Sequence, residues 1–208
     1  MLRARSPRRR APLPRSFYRR DAVTVARALL GQRLVTRIDG RRTAGIIVET
    51  EAYLGVIDKA AHTYGERRTQ RNESMWGDAG HAYVYFVYGM HHCVNVVAGG
   101  PGDPTAVLIR ALEPESGIET MFERRRAARR PADLCSGPAK LCQALAITRA
   151  LDGADLIGGT TIAVERRRGR ALAAARIAVG PRVGIDYAEE WRDEPLRFWV
   201  RDSPHVSG

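Results

Sequence analysis

Residues 81–88 (HAYVYFVY) and 91–98 (HHCVNVVA) are two runs rich in Tyr, Val and Phe, parted by little more than Gly89-Met90. Aromatic and β-branched residues favour extended chain. A two-residue break containing glycine favours a tight turn between antiparallel strands. The pair therefore predicts a hairpin and commits the chain to an antiparallel sheet. Further strands are expected at 33–38 and 44–54, joined by a turn at Asp39-Gly40, then at 104–112 and near Leu196–Val200. A helix is expected from an N-cap at Asp21 to Gly31, with Val25 and Leu29 inward. A second suits 115–128, with Glu115 and Glu119 at the front and arginines behind, matching the helix dipole. A third opens at Pro138 and runs to about Ile147, with Leu141, Cys142 and Leu145 inward. The last quarter alternates short strands with Gly-rich turns, and no internal repeat is visible. At 208 residues the chain suits one compact α+β domain with a real core.

The formal net charge is +11, which points to an anionic partner, most commonly nucleic acid. The bias is almost all arginine, since Lys59 and Lys140 are the two lysines. Part of it sits in residues 1–15, which combine Arg, Pro and Ser with little apolar content and read as a disordered basic tail ahead of a domain over 16–208. No apolar run approaches the roughly 20 residues that cross a bilayer. The basic start MLRARSPRRR is followed by no apolar stretch, so a cytoplasmic chain is expected. Cys93, Cys135 and Cys142 have no zinc spacing and are expected to be reduced and structural, with no metal or cofactor.

The strand expected at 44–54 carries the first chemistry. By strand alternation Ile46, Val48, Thr50, Ala52 and Leu54 share one face, and Ile47, Glu49, Glu51 and Tyr53 the other. A mostly apolar and central strand has little structural use for two carboxylates, so Glu49 and Glu51 are both candidate acid–base groups. On the hairpin, Tyr83 and Tyr85 fall on one face, Phe86 and Tyr88 on the other. Core packing accounts for Tyr83 and Phe86. It does not account for Tyr88 beside the tip, where a ring could wedge between stacked bases. Asn95 shares a face with Cys93 and Val97 and needs hydrogen-bond partners if buried. An enzyme that works on a base must first rotate it out of the duplex, at a cost of a few kcal/mol. Tyr88 would fill the gap, and Tyr53, Tyr85 and His62 would wall the extruded base. A carboxylate would deprotonate water and offset charge developing on the sugar.

VETEAYLG (48–55), AAH (60–62), RTQRN (68–72), YVYFVYGMHHCVNVV (83–97), LIRALEP (108–114), CSGPAKLCQAL (135–145) and PLRFWVRDSPHVS (195–207) occur in this order. Over about residues 16–207 the chain resembles the 3-methyladenine (alkyladenine) DNA glycosylase family. The resemblance implies a single domain with a curved antiparallel sheet, flanking helices and a protruding hairpin that enters the minor groove. It implies that Glu51, not Glu49, is the catalytic carboxylate and that Arg110 helps hold the water. It makes Tyr53, His62, Tyr85 and Asn95 substrate-binding, Tyr88 intercalating, and Met90 and His91 DNA-contacting. It also implies a monomer, without cofactor, acting on double-stranded DNA in the cytoplasm at the nucleoid. One departure is His92, where the family usually has an aromatic.

The expected chemistry is hydrolysis of the N-glycosidic bond of alkylated or deaminated purines (the 3-methyladenine, 7-methylguanine, hypoxanthine and ethenoadenine class). No amine lies in the catalytic run, so release without strand cleavage is expected. Two other readings remain: a lesion-binding protein without chemistry, which leaves Glu51 unexplained, and a carbohydrate glycosidase using Glu49 and Glu51 as its pair.

Overall fold

The computed structural model describes residues 10–167 and 172–207. Short helices α1 (Arg15–Tyr18) and α2 (Ala22–Leu29) lead into strands β1 (Arg33–Ile38) and β2 (Arg41–Tyr53). The hairpin β3 (Ala82–Val87) and β4 (His91–Ala98) comes next, then β5 (Thr105–Ser116). Helices α3 (Ile118–Arg124), α4 (Pro131–Leu134) and α5 (Pro138–Leu145) precede β6 (Ile162–Glu165), β7 (Ile177–Gly180) and β8 (Arg197–Val200). The strands form one sheet in the order β3-β4-β5-β2-β1-β6, with β8 pairing both β2 and β7. Every strand pairing is antiparallel, and the sheet curls into a half-barrel. No helix among the described residues is long and apolar enough to cross a membrane.

Local chemistry starts the elements where expected. The Asp21 carboxylate accepts from Thr24 N at 2.8 Å and caps α2, satisfying one of the amides a helix start leaves open. Val25 and Leu29 of α2 and Leu141, Cys142 and Leu145 of α5 are buried against the sheet. Asp39 and Gly40 both take positive φ, 52° and 70°, as a two-residue hairpin turn requires. The three cysteines are buried and unbridged.

Three expectations need correction. The domain begins before residue 16, inside the stretch expected over 1–15 as a basic tail. Residues 1–9 lie outside the described residues, but Leu13 is buried in the main core and its amide donates to Val164 O at 3.0 Å. Arg15 already opens α1 and pairs with Asp155 at 3.2 Å. The helix expected over 115–128 starts later and ends earlier, as α3 (Ile118–Arg124). Glu113, Pro114 and Ser116 continue β5 opposite Ile46, Gly45 and Ala44, and Gly117 at φ 73° then turns the chain into α3. Glu115 therefore lies on a strand, where it pairs with Arg10 and Arg33.

The third correction bears on function. Alternation is not strict along β2. Ile47 faces Leu112, Glu49 faces Ala111 and Thr50 faces Ile109, so the register breaks on both sides of Glu49. Such a bulge re-aims side chains. Ile47, expected beside the carboxylates, instead joins the main core with Ala52, and the Thr50 hydroxyl donates to Ala26 O of α2 at 3.0 Å. Ile46 and Val48 line a separate cleft with Glu113 and Glu115. The sheet also forks here: β1 pairs with Arg41–Ile46, and β8 takes over the same edge at Glu49–Glu51.

A Cβ at residue 117 would collide with the Arg42 carbonyl oxygen and press on Thr43. Gly117→Ala should therefore cost more than the roughly 1–2 kcal/mol of left-handed strain alone. The shift of the urea unfolding midpoint measures it.

Candidate active site

On the sheet face away from α2 and α5, Tyr83, Val97, Ala106 and Met75 form a small second core with Tyr85 packed on it. Of these groups Tyr83, Ala106 and Met75 floor a cavity of about 240 Å³ whose walls include Tyr53, His62, Tyr85, Asn95 and Arg110, with Tyr88 among its lining. Edge-to-face and tilted contacts lock the aromatic wall. His62 meets Tyr85 at 4.7 Å between centroids, and Tyr83 meets Tyr85 at 5.4 Å. The His62 Nδ1 lies 2.7 Å from the Tyr83 hydroxyl. Burial, then the guanidinium groups of Arg71 and Arg67, lower the His62 pKa to about 4, so the ring is neutral at pH 7.

Glu51 sits fully buried directly behind this wall. Its Oε1 accepts from Val183 N at 2.8 Å and lies 3.2 Å from Arg110 Nη1. Its Oε2 accepts from the Tyr53 hydroxyl at 3.0 Å. Those three partners line the cavity, and Glu51 itself does not. Burial raises the Glu51 pKa, and Arg110, the Val183 amide and the Tyr53 hydroxyl oppose the rise. The carboxylate is thus more basic than an exposed one, yet held by donors to its charged form.

Glu49 faces different company. Its Oε1 accepts from Arg110 Nε at 3.0 Å, Arg197 Nε at 2.7 Å and Ser207 Oγ at 2.9 Å, and its Oε2 from Ser207 N at 2.7 Å. Four donors from β5, β8 and the C-terminal segment engage this carboxylate, which does not line the cavity. The two glutamates, equivalent by alternation, are separated here by their partners: Glu49 anchors and Glu51 faces the cavity wall. The acid–base pair of a carbohydrate glycosidase loses its second member.

The structure brings Glu51, Arg110, Tyr53, His62, Tyr85 and Asn95 together. Asn95 is held by donation of its Nδ2 to Tyr83 O at 3.1 Å. Tyr88 is 85% exposed and adopts φ 53° at the hairpin tip. Met90 and His91 do not line this cavity. They line a groove on the other side of the hairpin with His92, Arg124 and Gln143. Phe86, expected in the core, is 42% exposed and makes a tilted contact with His92 across the hairpin at 5.0 Å, its partner in the β3–β4 register.

Sequence reasoning missed the loop that closes the site. Arg182 and Asp58 are fully buried and pair through two hydrogen bonds, Nη1 to Oδ2 at 2.5 Å and Nη2 to Oδ1 at 2.9 Å. Asp58 also accepts from Leu54 N and Ala60 N. Arg182 donates to Ala52 O at 3.0 Å and lies 4.7 Å over the Tyr53 ring. The next residue is Val183, whose amide binds Glu51. Nothing local in GPRVG marks this arginine, since its partner lies 124 positions away.

A family model for methylpurine-DNA glycosylase (MPG) matches residues 16–204. A protein from Desulfitobacterium hafniense is 48% identical over 202 residues, covering 94% of this chain and 98% of its own. One from Clostridium acetobutylicum is 47% identical over 202 residues, covering 94% and 97%. One from Bacillus cereus is 48% identical over 200 residues, covering 93% and 98%. All three bear a 3-methyladenine DNA glycosylase name. The chain belongs to the methylpurine-DNA glycosylase family, and its enzymatic class is that of a DNA glycosylase.

Removing one partner of a buried ion pair strands the other charge. Arg182→Leu should lower stability by about 3–5 kcal/mol. Adding Asp58→Asn to it should recover part of the loss, because the stranded charge is gone. Denaturant unfolding of the two variants measures both effects.

Proposed function

We propose that this glycosylase rotates alkylated or deaminated purines out of duplex DNA and hydrolyses the N-glycosidic bond, with Glu51 as the base that activates water. The observation that carries the reading is the buried Glu51 carboxylate, its pKa raised by desolvation, immediately behind an aromatic cavity of about 240 Å³. Tyr53, Tyr85 and His62 supply the stacking surfaces, worth roughly 1–3 kcal/mol per base. A cationic alkylpurine gains roughly 0.5–2 kcal/mol more from the ring faces. Tyr88 occupies the gap left in the duplex, and Met90 and His91 rest on the DNA beside it. The monomer is the functional unit.

In the reacting complex, the water oxygen bonds to the anomeric carbon as the base departs with the electrons of the C–N bond. Glu51 takes a proton from the water. Arg110 and Val183 N keep the carboxylate charged and aimed. A cationic alkylpurine leaves as a neutral base. His62 is neutral at pH 7, so it cannot serve as an imidazolium acid for neutral purines.

The product is an abasic site in an intact strand. A covalent intermediate would need an uncharged amine in the base cavity. Lys59 lies outside that cavity and is bound to Glu189 and Glu190 at 2.5 and 2.9 Å, which raise its pKa further. Lys140 leans on Ser136 Oγ.

Duplexes carrying 7-methylguanine, hypoxanthine or ethenoadenine test the reading under single-turnover conditions. Glu51→Gln should slow release by about 10²–10⁴, the usual worth of a positioned base, while binding lesion DNA within a few-fold of the parent. Binding with undiminished release would remove Glu51 from the mechanism. Tyr88→Ala should lose most activity on well-paired lesions, where extrusion costs most. No adduct should be trapped by borohydride.

A further inference from the structure

Two separate devices hold the donors of Glu51. Arg110 is fixed on β5 by Glu49 and Ser207. The Val183 amide on Oε1 and the Tyr53 hydroxyl on Oε2 come from distant parts of the chain, yet they meet at one side chain. Arg182 immediately precedes Val183. Its Nη1 donates at 3.0 Å to the carbonyl of Ala52, the residue between Glu51 and Tyr53, and its guanidinium lies 4.7 Å over the Tyr53 ring. A single buried cation thus bears on both donors without bonding to the carboxylate they serve.

Asp58 fixes that cation. It accepts from Nη1 and Nη2 of Arg182 at 2.5 and 2.9 Å, and from the amides of Leu54 and Ala60 at 2.9 Å each. The planar guanidinium fork meets a carboxylate in one orientation, so the pair has direction as well as strength. Ala60, Ile185 and Ala188 form a small core beside it, with Tyr53 and Trp191 packed on it. Tyr187, further along the loop, leans its hydroxyl toward Ala60 O at 3.4 Å. The segment from Arg182 to Ala188 is thereby fastened to the end of β2. Replacing a buried ion pair by apolar side chains of similar volume is often neutral or stabilising. An apolar pair would fill this space but would not orient an amide and a ring toward one carboxylate.

The titratable groups that face Glu51 are Glu49 and Tyr53 of β2, Arg110 of β5, Tyr85 of β3, Cys93 of β4 and Tyr187 of the loop. Burial raises the pKa of Tyr53, Tyr85, Cys93 and Tyr187, so each keeps its proton at and below pH 7. The Tyr53 hydroxyl therefore donates to Glu51 throughout that range. Glu49 stays with its own donors, Arg197 and Ser207 besides Arg110.

We infer that the Arg182–Asp58 pair is a positioning device for the reaction: it sets the Val183 amide and the Tyr53 hydroxyl on the two oxygens of Glu51, and so holds the carboxylate charged and aimed at the water. This rests on the reading of Glu51 as the base and extends it to the residues that arrange its donors. Glu49 does the same for Arg110, so each side of the catalytic carboxylate has its own buried ion pair.

The test follows single-turnover release of 7-methylguanine against pH, at saturating enzyme, for the parent, Arg182→Lys and the double variant Arg182→Leu/Asp58→Asn. Arg182→Lys keeps the charge but has no fork to span Asp58 and Ala52 O. The double variant strands no charge. At saturation an unfolded fraction raises the protein required and leaves the rate constant unchanged, so lost stability alone does not move the profile. The ionised carboxylate is the active form, and both variants loosen donors that favour it, so the inflection should move to higher pH in each. Below the inflection, release should be about tenfold slower, the worth of one hydrogen bond to a charged group, with lesion DNA bound within a few-fold of the parent. An inflection left at the parent's pH in either variant would overturn the positioning role. Failure of the underlying reading looks different: the parent itself would then show no inflection, and Glu51→Gln would release base at the parent's rate.

Discussion

Glu49 ties together parts of the chain that the backbone alone would leave apart. It is buried on β2, and its two oxygens accept from Arg110 on β5, Arg197 on β8 and both the amide and hydroxyl of Ser207. A buried carboxylate is tolerable only when paired and fully hydrogen-bonded, so the fork of the sheet at β8 and the course of the C-terminal segment follow from satisfying it. The same interaction orients Arg110. Its Nε is held by Glu49, its Nη2 by Ser207 Oγ at 3.1 Å, and its Nη1 is left 3.2 Å from Glu51. The position of one glutamate is thus set through the saturation of the other.

The arginine excess is divided between structure and surface. Arg33, Arg37 and Arg42 surround the buried Glu165. Arg182 is consumed by Asp58, and Arg110 and Arg197 by Glu49. These charges sit in or near the core and contribute little to long-range attraction for a polyanion. Two arginines with no carboxylate partner among the described residues, Arg67 and Arg71, lie beside the aromatic cavity. Net charge alone correctly suggested a nucleic-acid partner, but the placement of unpaired charge is what makes a binding face.

Much of the sheet was legible because local pattern and final packing agree. The hairpin around Gly89, the turn at Asp39-Gly40, the Asp21 cap and the inward face of α5 all stand as read. Ile47 was misread because a bulge has no signature when every flanking residue tolerates either face. The helix expected from Glu115 was misread because pairing with β2 outweighed a dipole-matched charge pattern. At the site, the aromatic residues and Asn95 could be named because they lie on strands with clear faces. Asp58, Arg182, Val183 and Tyr187 could not, since they act through contacts more than 100 residues apart in sequence. Physics applied to the sequence left Glu49 and Glu51 equal; the hydrogen bonds of the folded chain distinguish them.

The central claim is that a desolvated Glu51, tuned by its donors, accepts the proton from water. Single-turnover release of 7-methylguanine against pH addresses it directly, because this cationic base needs no protonation to leave. The ionised carboxylate is the active form, so the rate should rise with pH through an inflection above the ordinary glutamate value of 4.5. The Tyr53 hydroxyl lowers the Glu51 pKa, and Tyr53→Phe keeps the ring while removing that donor. The inflection should therefore move to still higher pH in Tyr53→Phe. A flat profile in this range, or an inflection that Tyr53→Phe leaves in place, would contradict the account.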